Sequence, residues 1–270
     1  MLGRDVLAAA GRAGHPAVGL ARTDLDITDS GAVQRAFEQE RPDVVINCAA
    51  HTNVDGAESD EPAATLLNGT AAGHVAGAAA SFGAAVIQPS TDYVFDGTKR
   101  TPYVESDPTG PQSAYGRSKL AGETATTEAN PRHFVVRTSW LFGAGGRNFV
   151  DKMIALASER DELKVVHDQV GCPTYTGHLA TALVSLAATD AYGIHHLAGS
   201  GACSWYEFAR EIFAAADVGV GLTPCTTDEF PLPAPRPAYS VLGSERRDPI
   251  RLPDWRAGLA DYLAERAPAR

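Results

Sequence analysis

The sequence predicts an α/β fold: a Rossmann-type, doubly wound parallel sheet with its first strand missing and a small C-terminal substrate lobe. Three observations carry this. Short apolar runs alternate with Ala-rich helical stretches through the first half of the chain. The runs Val44-Val45-Ile46, Ala85-Val86-Ile87 and Phe134-Val135-Val136 lack polar alternation, the mark of strands covered on both faces. Polar residues with chemical potential follow the second run, where open α/β sheets bind ligands.

Taken in order, 5–13 reads as a helix stopped by Gly14, and 17–21 as a short strand. A helix over 33–40 precedes the strand 44–46. Residues 63–80 form one long Ala/Gly helix, whose small side chains permit close approach to a sheet. The strand from 85, the helix 118–128 and the strand 134–137 complete the βαβα alternation. The second half is more mixed. Helices are expected over 149–160, 178–188, 205–216 and 254–266, strands over 163–166 and 193–197, and a Pro-rich loop over 223–236. The nucleotide-binding domain is placed at 1–145 plus 174–198, and the substrate lobe at 146–173 plus 199–270.

Composition narrows the function. A formal net charge of -10 repels phosphate backbones, which argues against nucleic acid as a partner but not against a small nucleotide in a local pocket. The 4 cysteines form no CxxC pair and match no zinc spacing, so free thiols are expected. No basic-then-apolar leader and no membrane-length apolar run is present, and a cytoplasmic enzyme without a membrane partner is the expectation.

The sharpest local signal is Tyr115-Gly116-Arg117-Ser118-Lys119 at the start of a helix. Four residues is about one turn, so Tyr115 and Lys119 share a face. A free phenol holds its proton too tightly for work near neutral pH, and a neighbouring ammonium is expected to lower its pKa. The competing reading is a surface Tyr and Lys on a solvated helix. Upstream, the second buried strand runs into Ser90-Thr91-Asp92-Tyr93-Val94-Phe95. A hydroxyl there can donate to a substrate carbonyl, although Ser90 and Thr91 also suit turn capping.

Together these segments resemble the dTDP-4-dehydrorhamnose reductase family of the extended short-chain dehydrogenase/reductases. So do Arg41-Pro42-Asp43-Val44-Val45-Ile46-Asn47-Cys48-Ala49-Ala50-His51-Thr52-Asn53-Val54-Asp55, Arg137-Thr138-Ser139-Trp140-Leu141-Phe142-Gly143, Asp168-Gln169-Val170-Gly171-Cys172-Pro173-Thr174 and Arg236-Pro237-x-x-Ser240-x-Leu242. The resemblance spans essentially the whole chain in the family's order. It implies hydride transfer from NADPH or NADH to C4 of a dTDP-4-keto-6-deoxy sugar. It implies that Tyr115 protonates the developing alkoxide, that Lys119 tunes Tyr115 and holds the nicotinamide ribose, and that Thr91 hydrogen-bonds the C4 oxygen. Asp92, Tyr93, Trp140 and Arg236 are then expected to contact the dTDP-sugar substrate, with a core Trp and a surface Arg as the plainer readings of the last two. Gly3, Asp26, Ile27, Ala49, Ala50 and His51 are expected along the cofactor.

The chain departs from the family at its start. Gly3 reads as the third glycine of a G-x-x-G-x-x-G turn, and the first strand and first two glycines are absent. A truncated or misplaced start is one expectation. A short form that has lost cofactor binding, serving as a noncatalytic or regulatory homologue, is the other. Tyr93 stands where related dehydratases place Glu, which argues against water elimination, while a reductase or epimerase of another nucleotide sugar stays open. No metal-ligand set is placed. Mg is allowed by the family rather than by these residues, and the assembly is expected to be a monomer or a homodimer.

Overall fold

Four strands, β1 (Val44–Ile46), β2 (Ala85–Thr91), β3 (His133–Thr138) and β8 (Gly193–His196), pair in parallel in that order and are covered by helices on both faces. The structure is a computed structural model that describes residues 1–266. The first half comprises α1 (Leu2–Arg12), α2 (Ser30–Glu40), β1 (Val44–Ile46), α3 (Val54–Ser59), α4 (Glu61–Thr65), a π-turn (Leu66–Thr70), α5 (Ala71–Ser81), β2 (Ala85–Thr91), a 3₁₀ turn (Asp92–Val94), α6 (Ala114–Ala129) and β3 (His133–Thr138). It continues through β4 (Leu141–Phe142), α7 (Phe149–Ala157), β5 (Glu162–Val166), β6 (Val170–Gly171), β7 (Thr174–Tyr175), α8 (Thr176–Ala187), β8 (Gly193–His196), β9 (Cys203–Ser204), α9 (Trp205–Ala215), β10 (Gly221–Cys225) and α10 (Trp255–Arg266).

Strand side chains alternate between faces, and each face has its own cover. Ala85, Ile87, Phe134 and Val136 pack with Val6 and Ala9 of α1 and Leu179 and Leu183 of α8. Val86 points the other way, toward Val33 and Phe37 of α2 and Val75 and Ala79 of α5. A separate core gathers Phe142, Val150, Leu163, Phe208, Trp255 and Tyr262 beneath the two-stranded β5–β10 sheet. This core draws on Phe142 and Tyr175 of the expected nucleotide-binding domain as well as on the expected substrate lobe, whose residues 267–270 lie outside those described. The α9 helix that floors it starts with a capping box, Ser204 with Glu207.

Three expectations need correction. Residues 17–21 form no strand. Among the described residues β1 pairs only with β2, so this segment has no strand beside it to supply a ladder. It rests on α1 instead: a Cβ at Gly19 would fall 2.5 Å from Leu7 Cδ1, while Val18 is 65% exposed. The long helix over 63–80 is interrupted by the π-turn, because Asn68 turns its side chain into hydrogen bonds with the backbone of His51 (2.8 and 3.0 Å). The loop expected over 223–236 begins as β10, since Leu222 to Cys225 lie in register with Leu163 to Val166. Pro224 is tolerated there because β10 is an edge strand. All four cysteines are free, as their spacing implies.

The approach of α6 to the 3₁₀ turn and to the π-turn needs two glycines. A Cβ at Gly116 would meet the Tyr93 carbonyl oxygen at 2.3 Å, and one at Gly122 would meet the Asn68 carbonyl oxygen at 2.1 Å. Both obstacles are backbone and cannot swing away. Gly122→Ala is therefore expected to destabilise the protein by about 1–3 kcal/mol through overpacking, visible as a lower urea midpoint with an unchanged slope.

Candidate active site

The parallel register places Thr91 opposite Thr138 at the carboxyl end of β2, next to the first turn of α6. Thr91 ends the strand by capping the 3₁₀ turn: its hydroxyl accepts from the Tyr93 N–H at 3.2 Å and donates to Asp92 Oδ1 at 3.1 Å. Ser113 caps α6 by accepting from the Gly116 N–H at 3.1 Å, and Glu58 accepts from the Ala114 N–H at 2.7 Å. These two caps fix the start of the helix and with it Tyr115. The Tyr115 hydroxyl lies near the Thr91 side chain, which draws the phenol pKa down, and its ring meets Tyr93 edge-on with centroids 5.9 Å apart.

Lys119, one turn further along α6, is 5% exposed and donates to the Pro89 carbonyl at 2.6 Å. Burial lowers its pKa to about 8, against the opposing pull of Glu123 and Cys48. The expected lowering of the Tyr115 pKa is not what this arrangement produces. Burial pushes Tyr115 up to about 12, and the neighbouring Thr91 hydroxyl offsets only part of that. The ammonium is spent on the Pro89 carbonyl, and desolvation prevails. A phenol that keeps its proton is the form a proton donor requires.

The residues expected along the cofactor are divided by the fold. Ala49, Ala50 and His51 follow the carboxyl end of β1, and Gly3 lies in the first turn of α1, where a Cβ would sit 3.4 Å from Cys48 Cβ. His51 Nδ1 is buried without a hydrogen-bond partner among the described residues. Small residues, an orphaned buried nitrogen and a nearby ammonium fit the nicotinamide–ribose end of a dinucleotide, where ring and sugar need close approach and polar contacts. Asp26 is exposed and closes a local turn with the Thr28 N–H and hydroxyl (2.9 and 2.8 Å). Ile27 is a core residue beside Val33 and Phe37, so its side chain faces the interior rather than a ligand.

The residues expected around the sugar also have defined places. Trp140 adopts φ 48° and stacks on Trp205 with centroids 3.5 Å apart and planes 7° from parallel. A Cβ at Gly171 would strike that indole at 2.5 Å, which explains the glycine beside it. Arg236 forms a two-pronged ion pair with Asp55 of α3 at 2.6 and 2.8 Å, and Asp55 also accepts from the Ala234 N–H at 3.1 Å. Arg236 thus straps the 226–242 segment to α3. A cleft of about 270 Å³ opens beside it, lined by Gln169, Thr227, Phe230, Leu232 and Arg236. Asp92 is buried at 2% exposure and is not among the residues that line this cleft.

Sequence reasoning missed several contributors. Asn68 ties the His51 backbone to Ser118 Oγ at 2.9 Å, and Ser118 in turn donates to the Tyr115 carbonyl at 2.8 Å. An amide inside an otherwise Ala/Gly helix was the available signal. Trp205 and the Asp55–Arg236 pairing had no local signal, because the partners are far apart in sequence.

The family model described as RmlD substrate binding domain matches residues 1–267. The chain belongs to that family. It is 45% identical to the dTDP-4-dehydrorhamnose reductase of Burkholderia thailandensis over 259 residues, covering 88% of this chain and 87% of that one. The crystal structure of a dTDP-4-dehydrorhamnose reductase from Clostridium acetobutylicum superposes with a TM-score of 0.94 at 44% identity, covering 98% of this chain and 95% of that one. A structure of dTDP-4-dehydrorhamnose reductase from Bacillus anthracis, in complex with NADP, superposes with a TM-score of 0.95 at 38% identity over the same shares. The fold is accordingly the Rossmann-type α/β fold of these reductases.

The buried ammonium has a measurable consequence. Lys119 releases its proton near pH 8 in the fold and near 10.5 when unfolded. Between those values the unfolded chain binds more protons, so this group makes stability rise with pH there. Buried thiols and phenols with raised pKa values act in the opposite sense toward the top of that range, in wild type and variant alike, so the stability of wild type relative to Lys119→Met is expected to rise with pH there in chemical denaturation.

Proposed function

We propose that the chain is an NADPH- or NADH-dependent dTDP-4-dehydrorhamnose reductase. It reduces the C4 keto group of dTDP-4-dehydro-6-deoxy-L-mannose to give dTDP-L-rhamnose. The observation that carries this reading is the approach of Tyr115 to Thr91 at the carboxyl end of β2, with Lys119 one turn further along α6. Membership of a family whose relatives carry this name supports it.

The bound cofactor supplies hydride; the chain's residues handle the oxygen. Thr91 donates to the C4 carbonyl and polarises it. Tyr115, protonated because burial holds its pKa up, gives its proton to the alkoxide as charge develops there. Lys119 offers a charge beside the proton donor and a hydrogen bond to the nicotinamide ribose, leaving the Pro89 carbonyl to do so. Ala49, Ala50 and His51 line the cofactor at the end of β1, and Gly3 approaches it from α1. Tyr93 and Trp140 wall the sugar. Arg236 is a guanidinium of the right kind for a diphosphate once released from Asp55. The reading places the reaction in the cytoplasm, in a monomer or a homodimer. No helix among the described residues is long and apolar enough to cross a membrane.

The test is loss of NADPH absorbance on addition of dTDP-4-dehydro-L-rhamnose. Turnover is expected, and Tyr115→Phe is expected to lower kcat by about 10²–10⁴-fold with far less change in KM. Absence of turnover by the wild-type chain, or a Tyr115→Phe variant as fast as wild type, overturns the assignment.

A further inference from the structure

Two buried carboxyls lie beneath the site, and they differ in kind. Glu123 is bound on both oxygens by Arg137, at 2.9 and 2.8 Å. Asp92 has no such cation. Its Oδ1 receives the Thr91 hydroxyl at 3.1 Å, and its Oδ2 is buried without a hydrogen-bond partner among the described residues. The Ser240 side chain of the 236–242 strap, 1% exposed, lies near the same carboxyl without a hydrogen bond to it, and its hydroxyl dipole favours the charged form. Arg236 of that strap is committed to Asp55 and Tyr93. The titratable groups that face Asp92 are Tyr93 of its own turn, Tyr115 of α6 and Cys172 of the loop before β7. Burial raises all three, so they stand neutral around it. An acid enclosed by neutral groups favours its protonated form, and burial holds Asp92 up to about 7.

The proton matters because of what it does to Thr91. A threonine hydroxyl has one hydrogen and two lone pairs. The Tyr93 N–H fills one lone pair. When Asp92 is a carboxylate it takes the hydrogen, and the other lone pair is left for the Tyr115 phenol. Both hydroxyls then point inward along a chain from Tyr115 through Thr91 to Asp92, and a carbonyl entering the site meets no donor. When Asp92 carries a proton it donates to Thr91. The lone pairs of Thr91 are then filled, its own hydrogen is free, and Tyr115 has no acceptor there. Both hydrogens turn outward.

We propose that Asp92 is a positioning residue that works as the neutral acid, its proton turning the Thr91 and Tyr115 hydroxyls toward the substrate carbonyl. Ser240, the serine of the Arg236-Pro237-x-x-Ser240-x-Leu242 segment, thereby links the strap to the group that aims the donors. The inference rests on the reading of Thr91 and Tyr115 as the carbonyl's donors.

Infrared difference spectroscopy of the full chain, titrated from about pH 5 to about pH 9 to bracket the ordinary and raised carboxyl ranges, reads the proton directly. One carboxylic-acid carbonyl band is expected near neutral pH, lost as pH rises and missing from Asp92→Asn, whose fold is checked by circular dichroism. Ser240→Ala removes a donor that favours the carboxylate, so the loss is expected at higher pH. In turnover, the limb of kcat/KM near pH 7 is expected to vanish in Asp92→Asn, whose amide cannot ionise, leaving the later limb set by Lys119 near pH 8. A wild type without the band, a band that persists in Asp92→Asn, or a variant with the wild-type pH profile overturns the proposal. A wild type that shows no turnover sinks the reductase assignment instead, and the band still decides the state of Asp92.

Discussion

The contact between Glu123 and Arg137 is the join on which the site depends. Glu123 sits on α6, one turn beyond Lys119 and two beyond Tyr115, and its carboxylate is held at both oxygens by the guanidinium of Arg137 on β3. The same carboxylate accepts the Ser90 hydroxyl of β2 at 2.6 Å. One side chain thus ties the helix that carries the phenol and ammonium to the strand that carries Thr91. The pair is 4% and 3% exposed, and a buried charge deprived of its partner costs about 3–5 kcal/mol. Phe95 adds its ring face to the guanidinium at 5.0 Å.

With that join in place, the remaining geometry follows from close backbone approach. Gly116 and Gly122 let α6 lie against the Tyr93 and Asn68 carbonyls, and Gly97, at φ 78°, lets the Pro237 strap pass where a Cβ would be 2.7 Å from Pro237 Cα. The strap then reaches two points: Arg236 pairs with Asp55 of α3, and Ser240 lies near Asp92.

The polar groups are tuned mainly by desolvation. Tyr115, Lys119 and Asp92 are each moved toward their neutral forms by burial, in the directions expected for an acid and a base in low dielectric. The one-turn spacing of Tyr115 and Lys119 points to tuning of the phenol by the ammonium, but Lys119 faces the Pro89 carbonyl instead. Pairing of residue types one turn apart brings side chains to one face, and what they then do depends on which acceptor lies closer.

Unaided, the amino-acid sequence specifies the strands β1, β2 and β3 and singles out Thr91, Tyr115 and Lys119, which the fold gathers at the carboxyl end of β2 and the start of α6. Those features are local: unbroken apolar runs report burial on both faces, and a strand end or a helical turn fixes its own neighbours. Whatever depends on contacts distant in sequence was set by the assembled fold. It left 17–21 without a ladder, because strand pairing needs a partner that no local pattern supplies. It broke the helix over 63–80 at Asn68, because that amide satisfies the backbone of His51. It drew Ile27 into the core and Asp26 into a solvent-exposed turn. It set Trp140 on Trp205 and Arg236 on Asp55, pairs separated by 65 and 181 residues whose meeting is fixed by the packing of the second core and the path of the strap.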